Sequence, residues 1–99
     1  MTTDIYSGRP ITVTVEASCE VIRDQHLDTF ENEHFDTIRN VISVRKEGKN
    51  VVIESCRSIE AWRAGEENGG RGEWEFPTNM LERVWINGVV VYGPAYRGI

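Results

Sequence analysis

Two histidines, two cysteines and a run of carboxylates are the residues of this 99-residue chain with the most distinctive chemistry. His26 and His34 sit among Asp28, Glu31, Glu33 and Asp36. Two imidazoles and a carboxylate suit several divalent ions. The spacing is neither the HxH of a strand nor the HExxH of a helix. On a helix the two rings would lie about two turns apart and could not share an ion. On a hairpin they could approach. Cys19 and Cys56 extend the set to C-x6-H-x7-H-x21-C, which lacks the close pairs typical of structural zinc sites. Ser55-Cys56 has no elbow motif and no nearby histidine in sequence to activate a nucleophile. Gly65–Gly72 is glycine-rich but lacks the Gly-x4-Gly-Lys-Ser/Thr of a phosphate loop, and its two glutamates would repel phosphate. The residues therefore assign no catalytic group, no metal ligand and no cofactor. A small metal-dependent enzyme around His26, His34 and Cys56 stands as an alternative.

Charge is more informative. The net charge of −5 opposes direct nucleic-acid binding, which needs Lys and Arg to neutralise phosphates. Acid is concentrated between Glu16 and Asp36, where Arg23 is the one arginine or lysine. Asp24, Asp28, Glu31, Glu33 and Asp36 are the candidate partner-binding acidic residues. Arg39, Arg45, Lys46 and Lys49 reverse the sign in the next segment. Such polarity steers charged partners; the plainer reading is two solvated faces.

The second candidate surface is aromatic and basic. Trp62, Arg63, Arg71 and Trp74 belong to a C-terminal region rich in Trp, Tyr and Arg, the residue types that dominate interface hot spots. An aromatic core is the competing explanation.

The elements that must position these groups read mainly as strands. Ile11–Val21 alternates apolar and polar residues with period two, as a half-buried strand does, and Pro10 precedes it. Val41–Cys56 reads as a hairpin around Glu47-Gly48, with Val44 facing Val51 and Ile42 facing Ile53. Ile59–Phe76 reads as a hairpin around Asn68-Gly69, with Arg63 opposite Trp74. A short helix Ile59–Ala64, capped by Ser58 and stopped by Gly65, is its rival. Leu81–Tyr92 reads as a hairpin around Asn87-Gly88, because a type I′ turn needs positive φ at both central residues. Both of its faces are largely apolar, so it is central or covered. The stretch 22–40 is ambiguous between a helix near 25–38 and a hairpin pairing Leu27–Phe30 with His34–Thr37.

Residues 1–99 are expected to form a single domain of mainly β class: a small antiparallel meander curled into a barrel or sandwich, with at most one short helix. The alternative is α+β with a helix at 25–38. With no secretory signal in Met1–Gly8 and no apolar run of membrane length, the expected location is cytoplasmic, away from membranes. The expected function is a non-catalytic protein-binding module. Its most concrete form is a small acidic inhibitor or decoy acting on a basic, nucleic-acid-handling protein. A self-associating structural subunit, a homo-oligomer through the Leu81–Tyr92 hairpin, is the alternative.

Overall fold

The structure, a computed structural model, describes residues 2–18, 29–30, 34–65 and 72–93. It is mostly β: one antiparallel sheet with a single short helix. The strands are β1 (Thr2–Ala17), β2 (Thr29–Phe30), β3 (Phe35–Glu47), β4 (Asn50–Ser55), β5 (Gly72–Pro77), β6 (Leu81–Ile86) and β7 (Val89–Tyr92). The helix α1 (Ile59–Arg63) follows β4. Strand order is β5-β4-β3-β1-β6-β7, with β2 beside β3. The order departs from a pure meander because β1 is inserted between β3 and β6. The sheet is not closed into a barrel.

The two long strands explain how one sheet makes a core. Sixteen extended residues in β1 would run roughly 53 Å, yet the longest extent of the molecule is 36 Å. The strand must bend, and register shifts mark where. Between Ser7 and Ile11, β1 spends three residues against one of β3. Pro10 lies in that bulge, where a missing N–H breaks no ladder bond. In β3, Asn40 takes a left-handed φ of 57° and the pairing with β4 shifts between Val41 and Ser43. The bends divide the sheet into two halves. In one, the first part of β1 pairs the end of β3, followed by β4 and β5. In the other, the end of β1 lies between the start of β3 and β6, followed by β7.

The halves face each other across one core. Val44, Val51, Ile53 and Phe76 come from the first half, and Val13, Val15, Ile38, Leu81 and Val84 from the second; all are fully buried. Thr78–Met80 connects β5 to β6, which are four strand spacings apart in the sheet, roughly 19 Å if it were flat. Three linking residues reach about 14 Å at full stretch, so only a folded-over sheet permits the connection.

Several expectations hold and several are corrected. Val13, Val15 and Ala17 are buried, while Thr12 is exposed and Thr14 and Glu16 partly so, as the alternation of β1 requires. The turn between β6 and β7 has Asn87 at φ 51° and Gly88 at φ 77°, with Trp85 opposite Val90 and Ile86 opposite Val89. The β3–β4 turn is displaced by one residue. Gly48, at φ 59°, takes the first central position, where a II′ turn uses glycine, and Lys49 the second. Val44 therefore faces Ile53, and Lys46 faces Val51. The hairpin around Asn68-Gly69 is replaced by its rival. Ser58 caps α1, its Oγ accepting the Ala61 N–H at 3.0 Å. Trp74 and Phe76 pair with Ile53 and Val51 of β4 instead of with 61–63. Phe35–Ile38 belongs to β3, so no helix spans 25–38. The pairing expected for 27–37 is present with another register: Thr29 faces Thr37, and Phe30 faces Asp36.

Candidate functional site

The outer face of the β3–β4–β5 half carries a charge cluster that strand registry builds. Side chains two residues apart on a strand share a face, and paired residues sit beside one another across strands. Asp4, Arg45, Val52 and Glu75 form one such row; Ser43, Glu54 and Glu73 form the next; Glu47 lies two residues beyond Arg45. Val52, 3% exposed, lies in the Arg45 row. The Arg45 guanidinium donates through Nε to Glu47, and Nη1 and Nη2 lie 3.5 and 3.4 Å from carboxylate oxygens of Glu54 and Glu73. Partial burial disfavours the charged guanidinium, but the Glu47 hydrogen bond and the attraction of Glu47, Glu54 and Glu73 outweigh it. The Arg45 pKa is raised above its ordinary value. With Asp4 and Glu75 exposed in the same row, five carboxylates surround one cation.

The outer face of the other half is different. Trp85 and Phe35 approach with ring centroids 6.0 Å apart at 33°. Thr14 and Val90 flank Trp85 on its neighbouring strands. An ion pair, Arg83 Nη1 to Glu16 Oε1 at 3.2 Å, borders the patch.

Two hollows lie where the halves part. One, about 300 Å³, is lined by Lys46, Gly48, Lys49, Thr78, Asn79 and Tyr92. The other, about 460 Å³, is lined by Arg39, Asn40, Ser55, Cys56, Arg57, Gly72 and Trp74. Among the described residues, neither lining contains a carboxylate.

The residues expected to bind a partner are scattered. Asp24, Asp28, Glu31, Glu33 and Arg71 lie outside the described residues, as do His26 and Cys19. Asp36 is not on an exposed face. It falls on the same side of β3 as Ile38, opposite Val15, and is fully buried, with Oδ1 accepting the Thr37 N–H at 2.7 Å. Trp62 and Arg63 are exposed on α1, and Trp74 is half-buried beside the larger hollow. None of the three tryptophans is fully buried, although Trp74 packs against the core and Tyr92 lies in it. His34 is exposed, Cys56 is a buried free thiol, and no three metal-ligating side chains converge among the described residues. The sequence reading missed the Arg45 cluster. Its signal was present in the alternation Ser43-x-Arg45-x-Glu47 and Glu73-x-Glu75, but recognising it required knowing that β5 pairs with β4.

Fold and surfaces together define an open, folded-over β-sheet domain with an apolar interior and a divided exterior. No protein-family model, no curated protein and no solved structure matches the chain.

Proposed function

We propose that this protein is a non-catalytic protein-binding module, an acidic inhibitor or decoy that engages a basic surface on a nucleic-acid-handling partner. The observation that carries this reading is the outer face of β3–β4–β5, where Asp4, Glu47, Glu54, Glu73 and Glu75 are held in register around Arg45. Rigid strands fix carboxylates about 7 Å apart along a strand and about 5 Å apart across strands. A partner's Lys and Arg side chains meet a preorganised negative surface, which raises the rate of encounter and suits a site otherwise occupied by phosphates. Arg45 links Glu47, Glu54 and Glu73, so the face keeps its geometry without a ligand.

Binding to an immobilised arginine-rich peptide tests the reading. Affinity is expected to fall steeply between about 50 and 300 mM salt. Reversing Glu73 and Glu75 to Lys should abolish it, while Glu82→Lys, on exposed β6, should leave most of it. Equal loss in both variants would reduce the effect to net charge and remove this face from consideration. A decoy must further displace DNA from a basic protein it binds; binding without displacement overturns that form.

A second reading, a self-associating subunit, is favoured by one edge. The described strand β7 pairs only with β6 among described residues, contains no charge, and leaves Val89 62% exposed. Unprotected apolar edges invite strand addition. Light scattering should then report a dimer at high concentration and a monomer for Val89→Lys; a wild-type monomer throughout rejects it.

A further inference from the structure

We propose that the smaller hollow, between the β3–β4 turn, the β5–β6 connection and the end of β7, binds a phosphate group, free or carried on a small alcohol. Lys46 and Lys49 would meet its charge, and the Tyr92 hydroxyl and Asn79 amide would donate to its oxygens. The inference is independent of the acidic face and concerns a different part of the molecule.

Three observations converge on it. First, the fold fastens segments distant in sequence around one space. The Thr78 N–H donates to the Lys49 carbonyl at 2.9 Å, and the Met80 N–H donates to the Pro77 carbonyl at 3.0 Å. The β5–β6 connection is thereby tied to the β3–β4 turn, which brings Asn79 and Lys49 to the same hollow. Tyr92 enters from the other half of the sheet, paired with Val84 of β6. The hollow, about 300 Å³, is at the small end of the range for ligand pockets, which suits a compact ligand.

Second, Tyr92 brings a hydroxyl that the strands do not use. The residue is 4% exposed and belongs to the core cluster. A buried tyrosine usually pairs its O–H. Among the described residues the Tyr92 hydroxyl has no hydrogen-bond partner, and the side chain lines the hollow. Phenylalanine would fill the same core volume without a polar group to satisfy, so the hydroxyl is explained by an acceptor that enters from the hollow.

Third, one turn delivers both ammonium groups. Lys46 is half-buried on the inner side of β3, opposite Val51, and its Nζ donates to the Gly48 carbonyl at 2.9 Å. That bond holds the ammonium over the turn and leaves two of its three N–H donors for a ligand. Lys49 takes the second central position because Gly48, at φ 59°, takes the first. A lysine ammonium is a compact charge with rotatable donors and binds phosphate without demanding a planar approach. Two ammonium groups, an amide and a phenol make a donor set for a tetrahedral oxyanion.

Titration of the isotopically labelled protein with inorganic phosphate and with methyl phosphate at constant ionic strength, followed by amide NMR shifts, tests the proposal. At least one of the two should saturate with a Kd on the order of 1 mM. Shifts should centre on 46–49, 78–79 and 92. Tighter binding of methyl phosphate makes this a site for a phosphate ester; equal or weaker binding makes it a site for the free anion. Lys49→Gln and Tyr92→Phe should each weaken binding by about tenfold. Arg63→Gln, on α1, removes the same charge elsewhere and should leave the Kd within about twofold. Tyr92→Phe should also leave the denaturation midpoint in phosphate-free buffer unchanged; a lowered midpoint would assign the hydroxyl to the fold and overturn the proposal. So would the lack of any saturable shift up to about 20 mM of either anion. Binding weakened no more by Lys49→Gln and Tyr92→Phe than by Arg63→Gln, in proteins that keep native amide spectra, would overturn it equally.

Discussion

The two halves of the bent sheet have the same plan and opposite exteriors. Each takes part of β1 and part of β3; the first adds β4 and β5, and the second adds β6, β7 and the two-residue β2. Their inner faces are alike in fully buried valine, isoleucine, leucine and phenylalanine, with Asp36 a buried acid in the second half. Their outer faces are not. The β4–β5 side shows five carboxylates around Arg45, while the β6–β7 side shows Trp85, Phe35 and Val90. The outermost of the described strands differ likewise. β5 alternates exposed Glu73 and Glu75 and ends in Pro77, features that block edge pairing, whereas β7 offers valines. The lesson is that the core demands only apolar shape from both halves and so leaves each exterior free to specialise. In the proposed function, recognition by charge would fall to one half, and in its second reading apolar strand addition would fall to the other.

The strongest way to break this comparison is through the shared interior. Phe76→Ala in the first half and Leu81→Ala in the second should each cost about 3–5 kcal/mol, because both side chains are fully buried. Denaturant melts should stay single and coincident by fluorescence and circular dichroism. Two separated transitions would mean that the halves are independent units and that their common core is a poor description.

Gly72→Val should destabilise by about 1–3 kcal/mol through collision with Trp74, a cost peculiar to the first half. Gly88→Ala, in the turn of the second half, meets no atom and suffers only its positive φ, so about 1 kcal/mol is expected. Chemical denaturation of the pair compares steric with conformational cost; equal losses would erase the distinction.

Arg45→Met should cost no more than about 1 kcal/mol, since the ion pairs are partly exposed. Its effect should shrink with added salt. The raised pKa of Arg45 means its contribution is complete below the ordinary guanidinium value and is lost only as pH rises through the higher folded one. The guanidinium itself thus adds no pH dependence near neutrality. A loss that persists undiminished at about 1 M salt would point to Val52 losing its cover, not to charge. Smallest of all, Val89→Lys should leave stability within about 0.5 kcal/mol because the side chain is exposed, and should act only on association.

Local chemistry was legible in the sequence. Asn87-Gly88 specified its turn because both residues tolerate positive φ, and the Ser58 cap and Gly65 stop bounded α1. Period-two alternation in 11–17 gave the correct buried set. Long-range features were hidden. A bulge interrupts alternation, so Val41 is fully buried while Ile42, expected to face Ile53, is not. At Gly48 the choice between Glu47-Gly48 and Gly48-Lys49 depends on which turn position takes the left-handed residue, and both pairings bury Val44 and Ile53. The partner of Trp74 is a strand twenty residues away in sequence, which no local signal specifies. Asp36 looked like one more surface acid because its neighbours in sequence are acidic; only its place two residues before Ile38 in an extended strand explains its burial.

The central position of β1 has a kinetic meaning. On a ribosome this strand emerges before every other strand described, yet one of its two neighbours, β6, is among the last to be made. The edge of β1 that meets β6 therefore waits unpaired through most of the chain's synthesis, although β3 can pair the other edge early, and loop closure over that distance slows productive pairing. Chaperone dependence during translation, and fast refolding only after the β6 segment has been released, are the behaviours such an order of assembly imposes.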